Sequence, residues 1–219
     1  MIRDIYPVLF AHYGPQRWWP GETPFEVCVG AILVQNTNWK NVEGTIAGLK
    51  ARGLLSCEAL LETPPERLAQ MIRPVGYFNI KTKRLRNFLL FLRQRCAGDI
   101  RALVRVPWPQ ARAELLAVNG IGPETADSIL LYALAKPVFV VDAYTRRLLI
   151  RHGFREEGRD YSSMQALFMG SLPSDVRIFN EYHALIVRLG KDFGRDAPDR
   201  RDYPLKERKY FLSVRGRML

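Results

Sequence analysis

The chain carries three features whose residue types and spacing can do chemistry. The first is Leu115-Leu116-Ala117-Val118-Asn119-Gly120-Ile121-Gly122-Pro123-Glu124-Thr125-Ala126-Asp127: an apolar helix end, a Gly-x-Gly turn and a second helix opening on proline. Such a turn exposes backbone N–H groups at a helix N-terminus, where unpaired donors and the positive end of the helix dipole hold a phosphate oxygen without any side chain. Glycine at 120 and 122 lets backbone approach backbone or phosphate. A bare helix–helix turn uses the same residues, so the turn alone names no ligand. The second feature is Asp142, which closes the apolar run Val138-Phe139-Val140-Val141 and precedes Ala-Tyr-Thr-Arg, a position that also suits a helix N-cap. The third is Trp18-Trp19-Pro20 together with Trp39, large faces that pack in cores or stack on planar ligands.

The charge balance narrows the partner. Lys and Arg number 33 against 22 Asp and Glu, a net +11 with a sequence pI near 9.9, so a polyanion is the first partner to consider. Residues 78–95 hold Lys81, Lys83, Arg84, Arg86, Arg93 and Arg95 with no acid, and Arg146, Arg147 and Arg151 follow Asp142. Runs of this kind are solvated helix faces or phosphate-facing surfaces. His12, His152 and His183 lack metal-ligand spacing, and His183 reads as a hydrogen-bonded helix histidine. Cys28, Cys57 and Cys96 fit neither a zinc site nor a disulfide framework, which points to a reducing, cytoplasmic compartment and no metal. An early acid and proline rule out a signal peptide, and no apolar run approaches the roughly 20 residues of a membrane span.

The elements that must position these features are helices. Phe25, Val29, Ile32 and Leu33 recur at helical spacing behind Pro24, and apolar groups follow at similar spacing to Leu189. Gly53, Pro64-Pro65, Pro74, Gly76, Pro107, Pro109, Pro123, Pro137 and Pro173 cut the chain into short helices joined by short turns. Residues 138–141 form the one β-branched run and fit a buried loop or a strand. The class is all-α. The tail from Arg195 onward reads as a solvated terminus or a basic surface arm.

The hairpin and the aspartate together are more specific than either alone. Residues 118–126 resemble the helix-hairpin-helix of the endonuclease III superfamily of DNA glycosylases. Val140-Val141-Asp142-Ala143-Tyr144-Thr145-Arg146-Arg147, twenty residues beyond Gly122, resembles the segment with that family's catalytic aspartate. Gln35-Asn36-Thr37 and Gly76-Tyr77-Phe78-Asn79-Ile80-Lys81 are similar to its glutamine loop and its base-stack wedge loop. Trp18-Trp19-Pro20, Val34-Gln35-Asn36-Thr37-Asn38-Trp39 and Ala135-Lys136 most resemble the endonuclease III-like 3-methyladenine DNA glycosylases.

The resemblance implies two helical lobes with a cleft between them. One spans residues 23–136 and holds the hairpin; the other is built from residues 1–22 and 137–219. It implies Asp142 as the catalytic carboxylate and Trp18, Trp19, Pro20 and Trp39 as the base pocket. Contacts to double-stranded DNA containing a damaged base would come from Gln35, Tyr77, Lys81, Val118, Gly120, Ile121, Gly122 and Thr125. Two departures set the mechanism. Glu124 stands where bifunctional members carry the lysine that forms a Schiff base, and a carboxylate cannot form that imine. No cysteine follows Cys96, so the four C-terminal ligands of the family's iron–sulfur cluster are missing and no cofactor is expected. The methyladenine subgroup also lacks the cluster; the position matching its proposed carbamylated lysine is Leu185, and Lys191 reads as a surface lysine. The expected enzyme is a monomeric, monofunctional glycosylase for alkylated purines, chiefly 3-methyladenine. A glycosylase for oxidised pyrimidines or mismatched bases, and a lesion-binding module without catalysis, remain alternatives.

Overall fold

A computed structural model describes residues 2–154, 158, 160–194 and 201–207; most of the basic tail lies outside them. Among the described residues the secondary structure is helical and contains no strand. The chain divides into two compact units, residues 19–136 and residues 1–18 with 137–219. Trp19 and Pro20 therefore belong to the central unit, while Trp18 belongs to the terminal one.

The terminal unit begins with α1 (Ile2–Tyr13), and the central unit follows with α2 (Pro24–Leu33), α3 (Trp39–Lys50), α4 (Cys57–Glu62), α5 (Pro65–Met71), α6 (Phe78–Cys96), α7 (Trp108–Leu116) and α8 (Pro123–Ser128). α8 runs on into one π-helical turn, Ile129–Ala133. Local chemistry explains the start of α2. Thr23 Oγ1 accepts from the Glu26 N–H at 3.1 Å, Glu26 reaches back to the Glu22 N–H at 3.2 Å, and Pro24 supplies a preset first turn. From Glu26 to Leu33 every residue of α2 is buried, which makes it the axis of this unit. On α6 the buried positions Lys81, Leu85, Phe88, Leu89 and Leu92 recur at helical spacing and form a single inward stripe.

The terminal unit continues with α9 (Ala143–Arg151), α10 (Tyr161–Ser171) and α11 (Val176–Phe193). Residues 138–141 are a fully buried loop rather than a strand, and the Gln165 side chain donates to the Phe139 carbonyl at 2.7 Å. Phe139 stacks on Phe168 with centroids 4.1 Å apart and meets Phe179 edge-on. The N-terminal segment is fastened to α11 by the Tyr182 hydroxyl, which donates to the Ile2 carbonyl at 2.7 Å, and by the Gln16 N–H, which donates to Glu181. α9 and α11 meet at Gly190, where a Cβ would lie 2.1 Å from Tyr144 Cδ1, so only glycine permits the approach. After α11, Tyr203 and Leu205 return to full burial, with the Tyr203 ring against Phe193 and its hydroxyl 2.8 Å from His152 Nε2.

Candidate functional site

In the terminal unit the chemistry gathers at the start of α9. Asp142 is extended (φ −131°, ψ −173°) and its Oδ1 accepts from the Thr145 N–H at 2.8 Å and the Thr145 hydroxyl at 3.0 Å. That is an N-cap. The other oxygen, Oδ2, lies 3.7 Å from His183 Nε2 on α11, at ion-pair rather than hydrogen-bond distance. Burial pushes the carboxyl pKa up, but the neighbouring His183 and the Thr145 donors outweigh it and hold the group below the usual aspartate range. Asp142 is thus a largely desolvated anion fixed by its cap. The same unit contains Trp18, whose ring has the Lys191 ammonium 5.6 Å above its centroid. Lys191 is exposed, as its reading as a surface lysine expects, and its ammonium lies over an aromatic face.

In the central unit the hairpin between α7 and α8 is closed by the Ile121 N–H donating to the Val118 carbonyl at 3.0 Å. Val118 and Ile121 are buried beneath the turn, so they anchor it from inside. Arg112 grips the fully buried Asp127 carboxylate with two bonds, of 2.7 and 3.1 Å, tying α7 to α8. The two glycines differ. Gly120 has φ +99°, and a Cβ there would lie 2.3 Å from Cγ of Arg84, so both backbone and packing require glycine. Gly122 has an ordinary φ of −91° and open space where a Cβ would stand. Protein packing gives no reason for its being glycine. No side chain caps α8, whose first residue is Pro123.

Gln35, expected to reach a base, is bonded into the hairpin. Its Nε2 donates to the Gly120 carbonyl at 3.1 Å and to the Thr125 hydroxyl at 2.9 Å, while Oε1 accepts from Arg84 at 2.6 Å. Tyr77 is 69% exposed and left-handed (φ 47°, ψ 32°) at the cap of α6, with Ile80 also exposed one turn on. A non-glycine residue held at positive φ costs on the order of 1 kcal/mol or more, and such strain clusters at functional positions. Lys81 departs from the expected phosphate contact. It is buried, and its ammonium donates to the carbonyls of Leu33 and Val75 at 2.8 Å each. The reason is phase: Lys81 lies on the apolar stripe of α6, so its charge is spent joining the end of α2 to the loop before Tyr77. Burial, with Arg84 adding repulsion, lowers its pKa to about 8.

The aromatic residues also sort by unit. Trp19 packs edge-on to Trp39 with centroids 5.0 Å apart and lies 5.1 Å from the ring of Tyr132 on the π-helical turn. The two indoles rest on α2 at Gly30, where a Cβ would come within 3.3 Å of Trp39 and 3.5 Å of Trp19. Pro20 is exposed beside them. Sequence reasoning missed Tyr132, because only the fold brings it to the tryptophans. A π-turn interrupting a helix was the structural signal, and such turns recur at functional sites.

The three cysteines stand on separate elements of the central unit. Cys28, Cys57 and Cys96 are buried on α2, at the start of α4 and at the end of α6, where burial pushes all three thiols up, Cys57 to about 11. Among the described residues no cluster of His, Cys, Asp or Glu has metal-site geometry, and no helix is long and apolar enough to cross a membrane.

The model of the HhH-GPD superfamily of base excision DNA repair proteins matches residues 29–174. A protein of Methanocaldococcus jannaschii provisionally named a DNA repair glycosylase is 46% identical over 209 residues, covering 94% of each chain. The crystal structure of an H. pylori 3-methyladenine DNA glycosylase bound to 1,N6-ethenoadenine superposes with a TM-score of 0.76 at 26% identity, covering 87% of this chain and 97% of that one. A trapped endonuclease III–DNA covalent intermediate gives the same TM-score at 19% identity, with 91% of each chain covered, a likeness of fold. The matched span includes the Gln35 loop, the hairpin and Asp142, and the chain belongs to the HhH-GPD superfamily of base excision DNA repair proteins.

Proposed function

We propose that the protein is a monofunctional DNA glycosylase that turns an alkylated purine, chiefly 3-methyladenine, out of duplex DNA and hydrolyses its N-glycosidic bond, leaving an abasic site. The observation that carries this reading is Asp142: a carboxylate largely buried yet held anionic at a helix N-terminus. Cleavage of the glycosidic bond builds positive charge on the sugar, and a fixed, desolvated anion stabilises that charge or orients the attacking water.

An N3-alkylated adenine is already cationic and leaves without protonation, so the chemistry requires no general acid, metal or cofactor. Selection then falls to stacking, and the Trp19, Trp39 and Tyr132 faces are the platform for it. Each aromatic face attracts a cation by about 0.5–2 kcal/mol. The name of the H. pylori neighbour supports the same substrate. Uncapped donors at the hairpin would take a phosphate of double-stranded DNA, Gly122 giving the close approach, while Tyr77 would enter the gap in the stack. Glu124 has no amine with which to open the sugar, so strand cleavage is not expected. We place the enzyme in the cytoplasm, acting as a monomer on DNA.

The test is to incubate the protein with methylated DNA and identify released bases by chromatography, with Asp142→Asn in parallel. Release of 3-methyladenine by wild type alone supports the reading. A borohydride-trapped adduct would overturn the monofunctional assignment. Release only from oxidised or mismatched duplexes would move the substrate, and equal binding of damaged duplex with no release by either protein would make it a lesion-binding module.

A further inference from the structure

Two successive residues of positive φ lead into α6. Gly76 has φ +68° and ψ 162°, a combination essentially confined to glycine, and Tyr77 follows at φ 47° and ψ 32°. Packing of Tyr77 does not offset this strain, because the residue is 69% exposed. Lys81 holds the turn from both sides. Its backbone N–H donates to the Tyr77 carbonyl at 2.9 Å, and its ammonium donates to the Val75 carbonyl at 2.8 Å, so one residue brackets Gly76 and Tyr77. The second ammonium bond, to the Leu33 carbonyl at the end of α2, fixes that bracket to the buried axis of the unit. Turns commonly close through backbone bonds alone. Here a cation is taken out of water for the purpose, and the residue it keeps in a strained, outward position has no packing role of its own.

We propose that Lys81 is a positioning residue that holds Tyr77 poised to enter the base stack, so that a buried charge which touches no DNA sets the preference for a duplex with a gap. The inference rests on the reading of Tyr77 as the side chain that fills the space left when a base is turned out. A side chain that must be ordered at each encounter loses part of its stacking free energy to that ordering; one already held outward meets the cost during folding. Without the ammonium bonds the turn relaxes, Gly76 and Tyr77 are free to leave positive φ, and the wedge is no longer preset. Lys81 therefore acts through Tyr77 and has no separate effect on a duplex that offers no gap.

The experiment compares binding to two duplexes of one sequence, intact and carrying a single tetrahydrofuran abasic analogue, so it does not depend on which lesion is excised. The readout is the ratio of the two affinities. Wild type is expected to prefer the abasic duplex by about tenfold, and Tyr77→Ala to remove most of that preference, the contribution of one base–aromatic contact. Lys81→Met is expected to lower the ratio about as far as Tyr77→Ala does, while its affinity for the intact duplex stays within about twofold of wild type. Adding Lys81→Met to Tyr77→Ala is expected to change the ratio no further, because residues that act as one unit are not additive. A purely structural lysine would weaken binding to both duplexes together and leave the ratio unchanged. Lys81→Gln is one atom shorter and cannot span both carbonyls; it is expected to lower the ratio as well, which keeps the test independent of whether Lys81→Met folds. A wild-type ratio in either folded variant, or a further loss in the double variant, overturns the proposal and leaves the glycosylase reading standing. A ratio of one in wild type overturns the wedge reading of Tyr77 together with the proposal, and failure of wild type to bind either duplex overturns the glycosylase reading too.

Discussion

His183 Nε2 on α11 lies 3.7 Å from Oδ2 of Asp142, whose other oxygen caps α9. One carboxylate thus spans two helices, with a separate oxygen for each. The cap fixes where the charge stands, and the histidine helps keep it charged.

Asp142→Asn separates these roles. Asparagine caps helices about as well as aspartate, so the variant should fold with only a modest fall in thermal midpoint from the lost charge interaction with His183, while base release should fall by a hundredfold or more. Differential scanning fluorimetry beside a base-release assay checks both. Parallel loss of folding and activity would reduce Asp142 to a structural cap.

The same residue carries a pH signature. Its pKa is lowered in the folded state, so its contribution to stability is complete above the unfolded value of about 3.9 and is lost as pH falls through the lower folded value. Acid-unfolding curves of wild type and Asp142→Asn should keep a constant separation down to about pH 4 and converge only below it.

Lys81 gives a slope of the same sign at the alkaline end. Its folded pKa of about 8 lies below the unfolded 10.5, so the unfolded chain holds more protons between those values and stability rises with pH there. The stability difference between wild type and Lys81→Met should therefore grow from pH 8 to pH 10.5, measured by denaturant titration.

The two hairpin glycines should fail differently. Gly120→Ala meets the Arg84 stem at a positive φ and should destabilise the fold by about 1–3 kcal/mol. Gly122→Ala has open space and an ordinary φ, so it should fold normally and lose affinity for duplex DNA. Unfolding midpoints and binding isotherms on both variants distinguish the cases.

The aromatic platform predicts a selectivity change. Trp39→Leu or Tyr132→Leu should lower the preference for a cationic alkylated purine over a neutral one by about twofold to thirtyfold, the span of one lost cation–π contact. Trp39→Phe should restore most of it. Competition between 3-methyladenine and a neutral alkylated adenine in one reaction reads this ratio directly.

What the sequence made legible was local. The Gly-x-Gly turn, proline at the first helical position and aspartate before Ala-Tyr-Thr each encode their geometry within a few residues, and all three stand where the pattern puts them. Residues 138–141 were ambiguous because burial of a whole β-branched run looks the same in a loop and in a strand. Lys81 was legible in principle: its phase with Leu85, Phe88 and Leu92 marks it as inward-facing, but a dense run of basic residues hides that phase. The Gln35, Arg84 and Gly120 cluster, the pairing of His183 with Asp142 and the arrival of Tyr132 beside two tryptophans join residues far apart in the chain, which periodicity does not register.

The terminal unit takes α1 from before the central unit and the buried Tyr203 from beyond α11. On a ribosome the central unit emerges between these two parts. Every residue of the central unit has been made before α9 appears, whereas α1 waits for α11 before Tyr182 can bond Ile2. Residues that contact one another across most of the chain close slowly. Translation therefore completes the hairpin and the Trp19–Trp39–Tyr132 cluster before the helices that hold Asp142 in place, so a chain truncated at the central unit contains the elements proposed to grip DNA and lacks the group proposed to act on it.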